Sequence, residues 1–346
     1  MSASLRTLAA SLLLLSCTTE PASDVAPDDG SSQPTPDAEP DDASDTATEG
    51  SDDVEDGSAP SDGSATVERG PMDWLTTPTV EGATPRLLFI GVDGMRPDAM
   101  ELANTPNFDL LRDNGTWTLT GTTQLSTDTD SSAGWTAITA GVDSTRTLVT
   151  DNNSTGLRDW SWPTFARVLR DTTGSPIVMS VHWIPFVVSL HEEDLTTDIF
   201  YGLDQPVTDH MAQRLLDSDA SVFIVHLDDV DKNGHATGFS VDNPDYMNAI
   251  EEADAYTGQL IEALNQREST RNEDWLVMVV TDHGGEGRDH GPMTPACQTI
   301  PFIFAGGSRA RGEFDVTVSH LDVAPTIYEH FGILDQAPEG LQGLPR

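Results

Sequence analysis

Basic residues are scarce in this chain, and lysine is almost missing. Among 346 residues, 17 are lysine or arginine and 58 are aspartate or glutamate, which gives a formal net charge of −41 at pH 7. Lys232 is the only lysine. So acidic a chain repels nucleic acid phosphates and an anionic bilayer surface, so we expect neither as a direct partner. An anionic substrate would need bound divalent cations to supply positive charge.

Cysteine is also rare, and only one apolar run is long. The two cysteines are Cys17 and Cys297. Residues 1–17 have the pattern of an export signal, with Arg6 before an apolar run too short to span a bilayer. The run ends in Leu-Leu-Ser-Cys, which resembles a bacterial lipobox with Cys17 as the lipidated residue. An ordinary signal with an incidental cysteine is the alternative. No later segment is apolar and long enough to cross a membrane.

These features predict an exported bacterial lipoprotein in the periplasm or at the cell surface. It would touch the membrane only through the lipid on Cys17, and Cys297 would have no disulfide partner. Residues 18–70 consist almost entirely of Asp, Glu, Ser, Pro, Gly, Ala and Thr, without aromatics. Such a segment cannot bury enough surface to fold, so we predict a disordered acidic tether. Residues 71–346 would form the folded domain.

Apolar runs alternate with helical patterns through the folded domain. We predict strands over residues 86–92, 117–123, 176–181, 221–227, 275–280 and 300–305. Helices are predicted over residues 104–114, 131–140, 161–169, 207–217, 243–266 and 320–331. Strict alternation of this kind predicts an α/β fold, in which a mainly parallel central sheet lies between two layers of helices.

Three of the predicted strands end in acidic residues. Asp93, Asp228 and Asp282 each follow an apolar run, and Asp231 lies just beyond the second. Aspartate often begins a loop or caps a helix, so one such residue would mean little. Recurrence at the same end of several strands indicates a site there. The nearby His235, His283 and His290 fall in glycine-containing segments predicted as loops. Together with the carboxylates they indicate mixed N/O sites for Zn²⁺ or a similar ion.

A hydroxyl-rich segment precedes the helix predicted at residue 131. Its sequence, Ser-Thr-Asp-Thr-Asp-Ser-Ser-Ala-Gly, covers residues 126–134. A hydroxyl at a helix N-terminus lies beside backbone N–H groups that favour negative charge, so it is a candidate nucleophile. The alternative is a helix-capping serine. For Trp135 there are two interpretations: it lines the site, or it packs in the core.

The motifs, in order, resemble the alkaline phosphatase superfamily. They are Gly-Val-Asp-Gly-Met-Arg-Pro-Asp at residues 91–98, Ser131 followed by Thr-Ala-Gly at 139–141, Asp-x-x-x-His at 231–235, Thr-Asp-His-Gly-Gly at 281–285, and a second His-Gly at 290–291. The similarity is greatest to the type I phosphodiesterase/nucleotide pyrophosphatase branch. It implies the three-layer α/β/α fold of that superfamily and a metal-dependent hydrolase of a small-molecule phosphoester, with a phosphodiester as the expected substrate.

The resemblance also implies roles for individual residues. Asp93, Asp282 and His283 match the ligands of one metal, with the nucleophile oxygen beside it, and Asp231, His235 and His290 match those of a second. Ser131 matches the nucleophile. Asn152 matches the asparagine that binds a non-bridging phosphoryl oxygen, with Asn153 as the neighbouring alternative. The metals would be two Zn²⁺ ions, with Mn²⁺ or another divalent ion possible.

Two departures from the family pattern leave alternatives open. The phosphodiesterase branch commonly has Thr-Phe-Pro-Asn where this chain has Ser131-Ser132-Ala133-Gly134, so Ser132 and Thr129 are also candidate nucleophiles. This chain lacks the Phe of that motif, which in the family helps to hold a nucleobase, so the resemblance does not decide whether the substrate is a nucleotide. The sulfatase signature Cys-x-Pro-x-Arg is absent. A phosphomonoesterase or sulfuric ester hydrolase with the same metals is the nearest alternative, and a non-catalytic surface-anchored binding lipoprotein is one from another class.

Overall fold

The computed structural model describes residues 72–79, 81–123, 126–152, 162–190, 198–268 and 272–346. Cys17, the predicted export signal and the predicted tether lie outside these residues, so those predictions are not tested. Cys297 is buried and its thiol is free. Within the described ranges, no helix combines the length and apolarity needed to cross a membrane.

Eight strands of the described chain form one sheet. Their ranges are β1 Thr84–Val92, β2 Gly115–Thr122, β3 Ile177–Val181, β4 Ile199–Tyr201, β5 Val222–Leu227, β6 Glu273–Val280, β7 Thr299–Ala305 and β8 Gly312–Glu313. The strand order is β4-β3-β5-β1-β6-β7-β2-β8. Strands β4, β3, β5, β1 and β6 are parallel, and β7 is antiparallel to both β6 and β2. The predicted mainly parallel sheet is therefore confirmed.

Strand β1 lies in the middle of the sheet and is buried over its last six residues. Leu88 pairs with Phe223 of β5 on one side and with Val277 of β6 on the other. A strand covered on both faces needs a nearly continuous apolar sequence, which Leu-Leu-Phe-Ile-Gly-Val provides. The carboxyl ends of β5, β1 and β6 consequently lie side by side.

Helices cover both faces of the sheet. Their ranges are α1 Asp73–Thr76, α2 Pro97–Leu102, α3 Pro106–Asp113, α4 Ser131–Ala140, α5 Ser144–Thr147, α6 Phe165–Thr173, α7 Ile184–Ser189, α8 Asp204–Asp217, α9 Asp229–Thr237, α10 Pro244–Glu268, α11 Pro295–Gln298 and α12 Val323–His330. Alternate residues of β1 point to two separate cores: Leu88 and Ile90 pack with α8 and α10, and Leu87 and Phe89 pack with α4, α6 and α12. The three-layer α/β/α architecture is as predicted.

Two predicted elements differ from the structure. The helix predicted over residues 161–169 begins later, at Phe165, because the Thr164 side chain accepts a hydrogen bond from the Arg167 N–H and so caps it there. Residues 231–235 were predicted as a loop but lie in helix α9. Glycine suits that helix at position 234, because a Cβ there would lie 2.2 Å from the Phe239 ring.

Candidate metal centre

The predicted acidic residues meet at the carboxyl edge of the central strands. Asp93 follows β1, Asp282 follows β6, and Asp231 lies in the first turn of α9, directly after β5. Asp93 and Asp282 are at most 1% exposed and Asp231 is 9% exposed. Asp228 joins them: one ligand atom from each of Asp93, Asp228 and Asp231 lies within 4.8 Å of the others.

Two of the three predicted histidines reach the same edge fully or almost fully buried. His283 groups with Asp93 and Asp282, and also with Asp231 and His290, in each case with ligand atoms within 4.8 Å of one another. The rings of His283 and His290 stack at 3.6 Å between centroids. His235 is more exposed, and its Nε2 lies 3.4 Å from Asp231 Oδ2. The structure therefore brings all six predicted ligand side chains together.

Backbone carbonyl groups orient all three imidazole rings in the same way. The Nδ1 atoms of His283, His290 and His235 lie 2.8, 2.8 and 2.9 Å from the carbonyl oxygens of Gly284, Thr129 and Arg288. A carbonyl can only accept, so each Nδ1 carries the proton and each Nε2 presents a lone pair to the carboxylates. Histidine ligands of metals usually donate their other ring N–H to a carbonyl or carboxylate in this way.

Among the described residues, neither Asp231 nor Asp282 forms an ion pair with a lysine or an arginine. Burial and the charges of Asp93 and Asp231 raise the pKa of Asp282 well above its usual value. Burial, Asp93 and Asp228 likewise raise the pKa of Asp231 to about 9. Burial lowers the pKa of His283 to about 3, which keeps its ring neutral. Acids buried beside one another in this way ionise fully only when a cation joins them.

Three buried oxygen atoms support the same conclusion. Asp93 Oδ1, Asp231 Oδ1 and Asp282 Oδ2 have no hydrogen-bond donor among the described residues. An unpaired buried carboxylate oxygen is costly, whereas an oxygen that coordinates a metal is satisfied. With the Nε2 lone pairs, these oxygens form a mixed N/O donor set without thiolate, which fits Zn²⁺ or a similar divalent ion.

The second carboxylate oxygen of Asp93, Oδ2, contacts Trp135 and His226. Trp135 Nε1 donates to Asp93 Oδ2 at 3.0 Å, and His226 Nε2 lies 3.3 Å from the same oxygen. Trp135 can cross β1 because residue 91 is glycine, where a Cβ would lie 2.8 Å from the indole ring. Burial disfavours ionisation of Asp93, but the adjacent imidazoles of His226 and His283 hold its pKa below the usual value. Asp93 therefore stays ionised with Oδ1 facing the centre.

Ser131 is the first residue of helix α4 and lies beside the carboxylates. Its Oγ is 3.1 Å from His283 Nε2, and the residue is 5% exposed. Helix α4 packs closely on the end of β6 because residue 134 is glycine, where a Cβ would lie 2.8 Å from Asp282 Cβ. This close approach brings the helix N-terminus, with its partial positive charge, to the metal centre.

The alternative hydroxyls are placed differently. Thr129 is fully buried and its hydroxyl donates to the carbonyl of His290. Ser132 Oγ is also buried and has no hydrogen-bond partner among the described residues. Its backbone N–H donates to Asn152 Oδ1 at 2.8 Å, so this N–H is not free for a substrate oxygen. Asn152 is itself exposed, next to the helix N-terminus, while Asn153 lies outside the described residues.

Solved structures share this architecture at low sequence identity. YidJ from Bacteroides fragilis, provisionally named a sulfatase, gives a TM-score of 0.59 at 17% identity and covers 77% of this chain and 78% of that one. Murine ectonucleotide pyrophosphatase/phosphodiesterase 5, solved as an inactive variant with AMP, gives 0.54 at 14% identity, covering 76% and 96%. The fold is that of the alkaline phosphatase superfamily. BT4656, solved with D-glucosamine-2-N,6-O-disulfate, gives a TM-score of 0.52 at 14% identity, covering 76% and 79%.

The sequence comparison agrees with the fold. The type I phosphodiesterase/nucleotide pyrophosphatase family matches the chain over residues 158–291. That range includes five of the six predicted ligand residues, but it excludes Asp93, Ser131 and Asn152. No curated protein matches the chain. The resemblance drawn from the motifs is confirmed.

Three residues at this centre had no assigned role in the sequence-based prediction. Asp228 was one of the strand-ending acids, but the resemblance assigned it no metal. His226 interrupts the apolar sequence of β5, which is a signal in retrospect because a buried strand rarely carries an imidazole without a partner. Trp135 does pack in the core, and it also donates to Asp93. Its contact depends on the packing of α4 against β1, which the sequence does not reveal.

Proposed function

We propose that this chain is a two-metal phosphoric ester hydrolase, most specifically a phosphodiesterase, with Ser131 as its nucleophile. One observation carries the proposal. The Ser131 hydroxyl lies at a helix N-terminus, 3.1 Å from His283 Nε2 and beside buried carboxylates whose oxygens lack donors. The family match over residues 158–291 supports phosphoester chemistry. The phosphodiesterase-like neighbour bound to AMP supports it only as a shared fold.

Asp93, Asp282 and His283 would hold one ion, and Asp231, His235 and His290 the other. His283 is close enough to both groups to contact either. Two divalent cations bound there would lower the pKa of the serine hydroxyl and neutralise charge on the attacking and leaving oxygens. We propose Zn²⁺ in both positions, because the donor set mixes imidazole nitrogens with carboxylates.

Ser131 Oγ would attack phosphorus in line with the leaving alcohol. The Oγ–P bond forms as the P–O bond to the leaving group breaks, and the proton that the hydroxyl loses balances the one that the leaving alcohol gains. The serine is then esterified to the phosphate that still carries the retained alcohol. Water then attacks the same phosphorus, releases the phosphate product and restores the hydroxyl. The Asn152 side chain accepts from the Ser132 N–H through Oδ1, and no described residue accepts from its Nδ2. That amide would donate to a non-bridging oxygen of the substrate.

The test compares bis-p-nitrophenyl phosphate, p-nitrophenyl phosphate and p-nitrophenyl sulfate with the zinc-loaded protein. We expect the diester to give the highest kcat/KM. Ser131→Ala should lose at least about 10³-fold in kcat, while Ser132→Ala and Thr129→Ser keep most of it. Metal content, measured on the same samples, should be close to two ions per chain. Full activity in Ser131→Ala would remove this serine from the mechanism.

Sulfate ester hydrolysis is the second candidate, because sulfatases share the fold. Against it, a serine occupies the position of the nucleophile and the described cysteine, Cys297, is buried in α11. A higher kcat/KM for the aryl sulfate than for either phosphate would favour this candidate. Absence of both turnover and bound metal would favour the non-catalytic binding protein.

We also propose that the enzyme is exported and held at a membrane by a lipid on Cys17. The proposal rests on the lipobox-like end of the N-terminal apolar run and on the acidic composition of residues 18–70. The substrate would then be a small phosphoester in the periplasm or outside the cell.

A further inference from the structure

The single lysine of the chain lies at the metal centre. Lys232 follows the predicted ligand Asp231 in helix α9, and its Nζ is 3.3 Å from Asp228 Oδ2. Asp228 in turn lies within 4.8 Å of Asp93 and Asp231, measured between ligand atoms. One carboxylate therefore separates the ammonium group from the ligand cluster. The lysine side chain is 51% exposed, so it faces both the centre and solvent.

A chain of hydrogen bonds fixes the position of this ammonium group. Asp204 is 1% exposed, and its two carboxylate oxygens accept the backbone N–H groups of Asp228 at 2.9 Å and Asp229 at 3.0 Å. The same carboxylate accepts from His182 Nδ1 at 2.6 Å. His182 Nε2 then accepts from the Lys232 ammonium. The array Asp204–His182–Lys232 ties α8, β3 and α9 together beside the centre.

This array is built for hydrogen bonding and not for a third metal. His182, Asp204 and Asp229 are close enough to coordinate an ion. However, both oxygens of Asp204 already accept hydrogen bonds, and both ring nitrogens of His182 have partners. Asp93, Asp231 and Asp282, by contrast, each keep a buried oxygen without a donor. A metal ligand needs an oxygen or nitrogen atom without another partner, which the three aspartates of the centre have and the hydrogen-bonded Asp204 and His182 do not.

The ion pair with Asp228 and the hydrogen bond to His182 restrict the conformations of the Lys232 side chain. A free lysine side chain samples many rotamers, and binding an anion would cost the entropy of ordering it. Here Asp228 and His182 have already ordered it. Asp228 is buried, but the Lys232 side chain is 51% exposed, and solvent screens an ion pair with one solvated partner, so this pair alone does not account for the array. A preorganised cation beside a phosphoester site is suited to binding an anion.

We propose that Lys232 determines specificity by binding a second anionic group on the substrate, a carboxylate or a second phosphoryl group, on the alcohol that is not displaced. The inference rests on the proposed phosphoester function and narrows its substrate class. His182 and Asp204 act through Lys232 as positioning residues. The cation count agrees with this assignment: the ligand carboxylates offset most of the charge of two divalent ions, so an additional anionic group needs an additional cation.

The kinetic test uses p-nitrophenyl phosphodiesters that share the leaving group and differ in the other alcohol: propyl, 2-carboxyethyl and 2-phosphonoethyl. For the zinc-loaded protein we expect the ratio of kcat/KM for anionic over propyl diesters to fall about 10- to 100-fold in Lys232→Gln, mainly through KM. Lys232→Arg should recover part of the ratio, and His182→Gln should lose part of it. Arg170→Gln is the charge-matched control. Arg170 lies near the end of α6, which leads into the amino end of β3, whereas the centre lies at the carboxyl ends of the strands.

A binding test decides the matter without turnover. Isothermal titration compares 2-carboxyethyl phosphate with propyl phosphate, on zinc-loaded wild type and Lys232→Gln of equal zinc content. We expect the variant to lose about tenfold in affinity for the carboxylate compound and little for the propyl compound. Equal losses for both compounds, or unchanged affinity and kinetic ratios, would overturn the role of Lys232. If wild type hydrolyses none of the diesters, the proposed function fails, and the titration still tests the lysine.

Discussion

Replacing Asp231 by asparagine should stabilise the protein when it is free of metal. Burial, Asp93 and Asp228 raise the pKa of Asp231 from 3.8 to about 9. At pH 7 the unfolded chain carries this group ionised, but the folded chain must protonate it. Each pH unit above the unfolded pKa costs about 1.4 kcal/mol, so the cost at pH 7 is about 4 kcal/mol. An asparagine avoids that cost but leaves an amide imperfectly paired, so we expect a net gain of about 2 kcal/mol.

The pH dependence gives this prediction its sign. Because the folded pKa lies above the unfolded one, the stability contributed by Asp231 is fully present below about pH 4 and is lost as pH rises towards 9. The advantage of Asp231→Asn should therefore be small at pH 5 and several kcal/mol larger at pH 8. Urea unfolding of the chelated protein at both pH values measures it, with Asp245→Asn, an exposed acid in α10, as the control.

Zinc should reverse the ranking. At a free concentration of about 100 times Kd, binding adds about 2.7 kcal/mol to the wild type, and the variant should gain less because it lacks one ligand charge. Equal destabilisation of chelated Asp231→Asn at pH 5 and pH 8 would refute the reasoning. It would mean that Asp231 is not held in an uncompensated cluster of acids.

Three further predictions concern other parts of the molecule. Glu273→Gln should lower the free energy of unfolding by about 3–5 kcal/mol in urea titrations without changing kcat, because it leaves the Arg267 guanidinium buried 2.7 Å from a neutral group. Trp135→Phe should weaken zinc binding about 10- to 100-fold in competition with a chelator, since Asp93 loses a second-shell donor. An unchanged affinity would contradict that role. Cys17→Ser should move the protein from the membrane fraction to the soluble fraction of cells, and continued membrane attachment would argue against the lipid anchor.

The sheet could be predicted because its strands are buried on both faces. Continuous apolar runs at β1, β5 and β6 report that burial directly, and helix α4 begins and ends at its predicted residues because Gly141 closes it in the left-handed conformation. Short strands carry no such signal. Strand β4 has three residues and β8 has two, and both depend on neighbouring strands for their hydrogen bonds.

Helix α9 shows where the sequence signal fails. Its sequence, Asp-Val-Asp-Lys-Asn-Gly-His-Ala-Thr, is polar and contains a glycine, which is typical of a loop. Tertiary packing decides otherwise: Val230 is buried, and the Phe239 ring fills the space beside Gly234. The error matters for the site. A helix fixes the direction of the Asp231 side chain relative to that of Lys232, the residue on which the proposed anion specificity rests.

The sequence identifies the candidate ligand residues, but it does not give their orientation. Aspartate and histidine at strand ends are visible in the sequence, whereas the groups that turn each imidazole towards the centre are backbone carbonyls of Gly284, Thr129 and Arg288. A carbonyl is the same for every residue type, so no motif records it. His283 and His290 stack at 3.6 Å between ring centroids, and each Nδ1 lies 2.8 Å from its own carbonyl oxygen. The stacked pair lies beside Asp231, and His283 is within reach of both groups of candidate ligands.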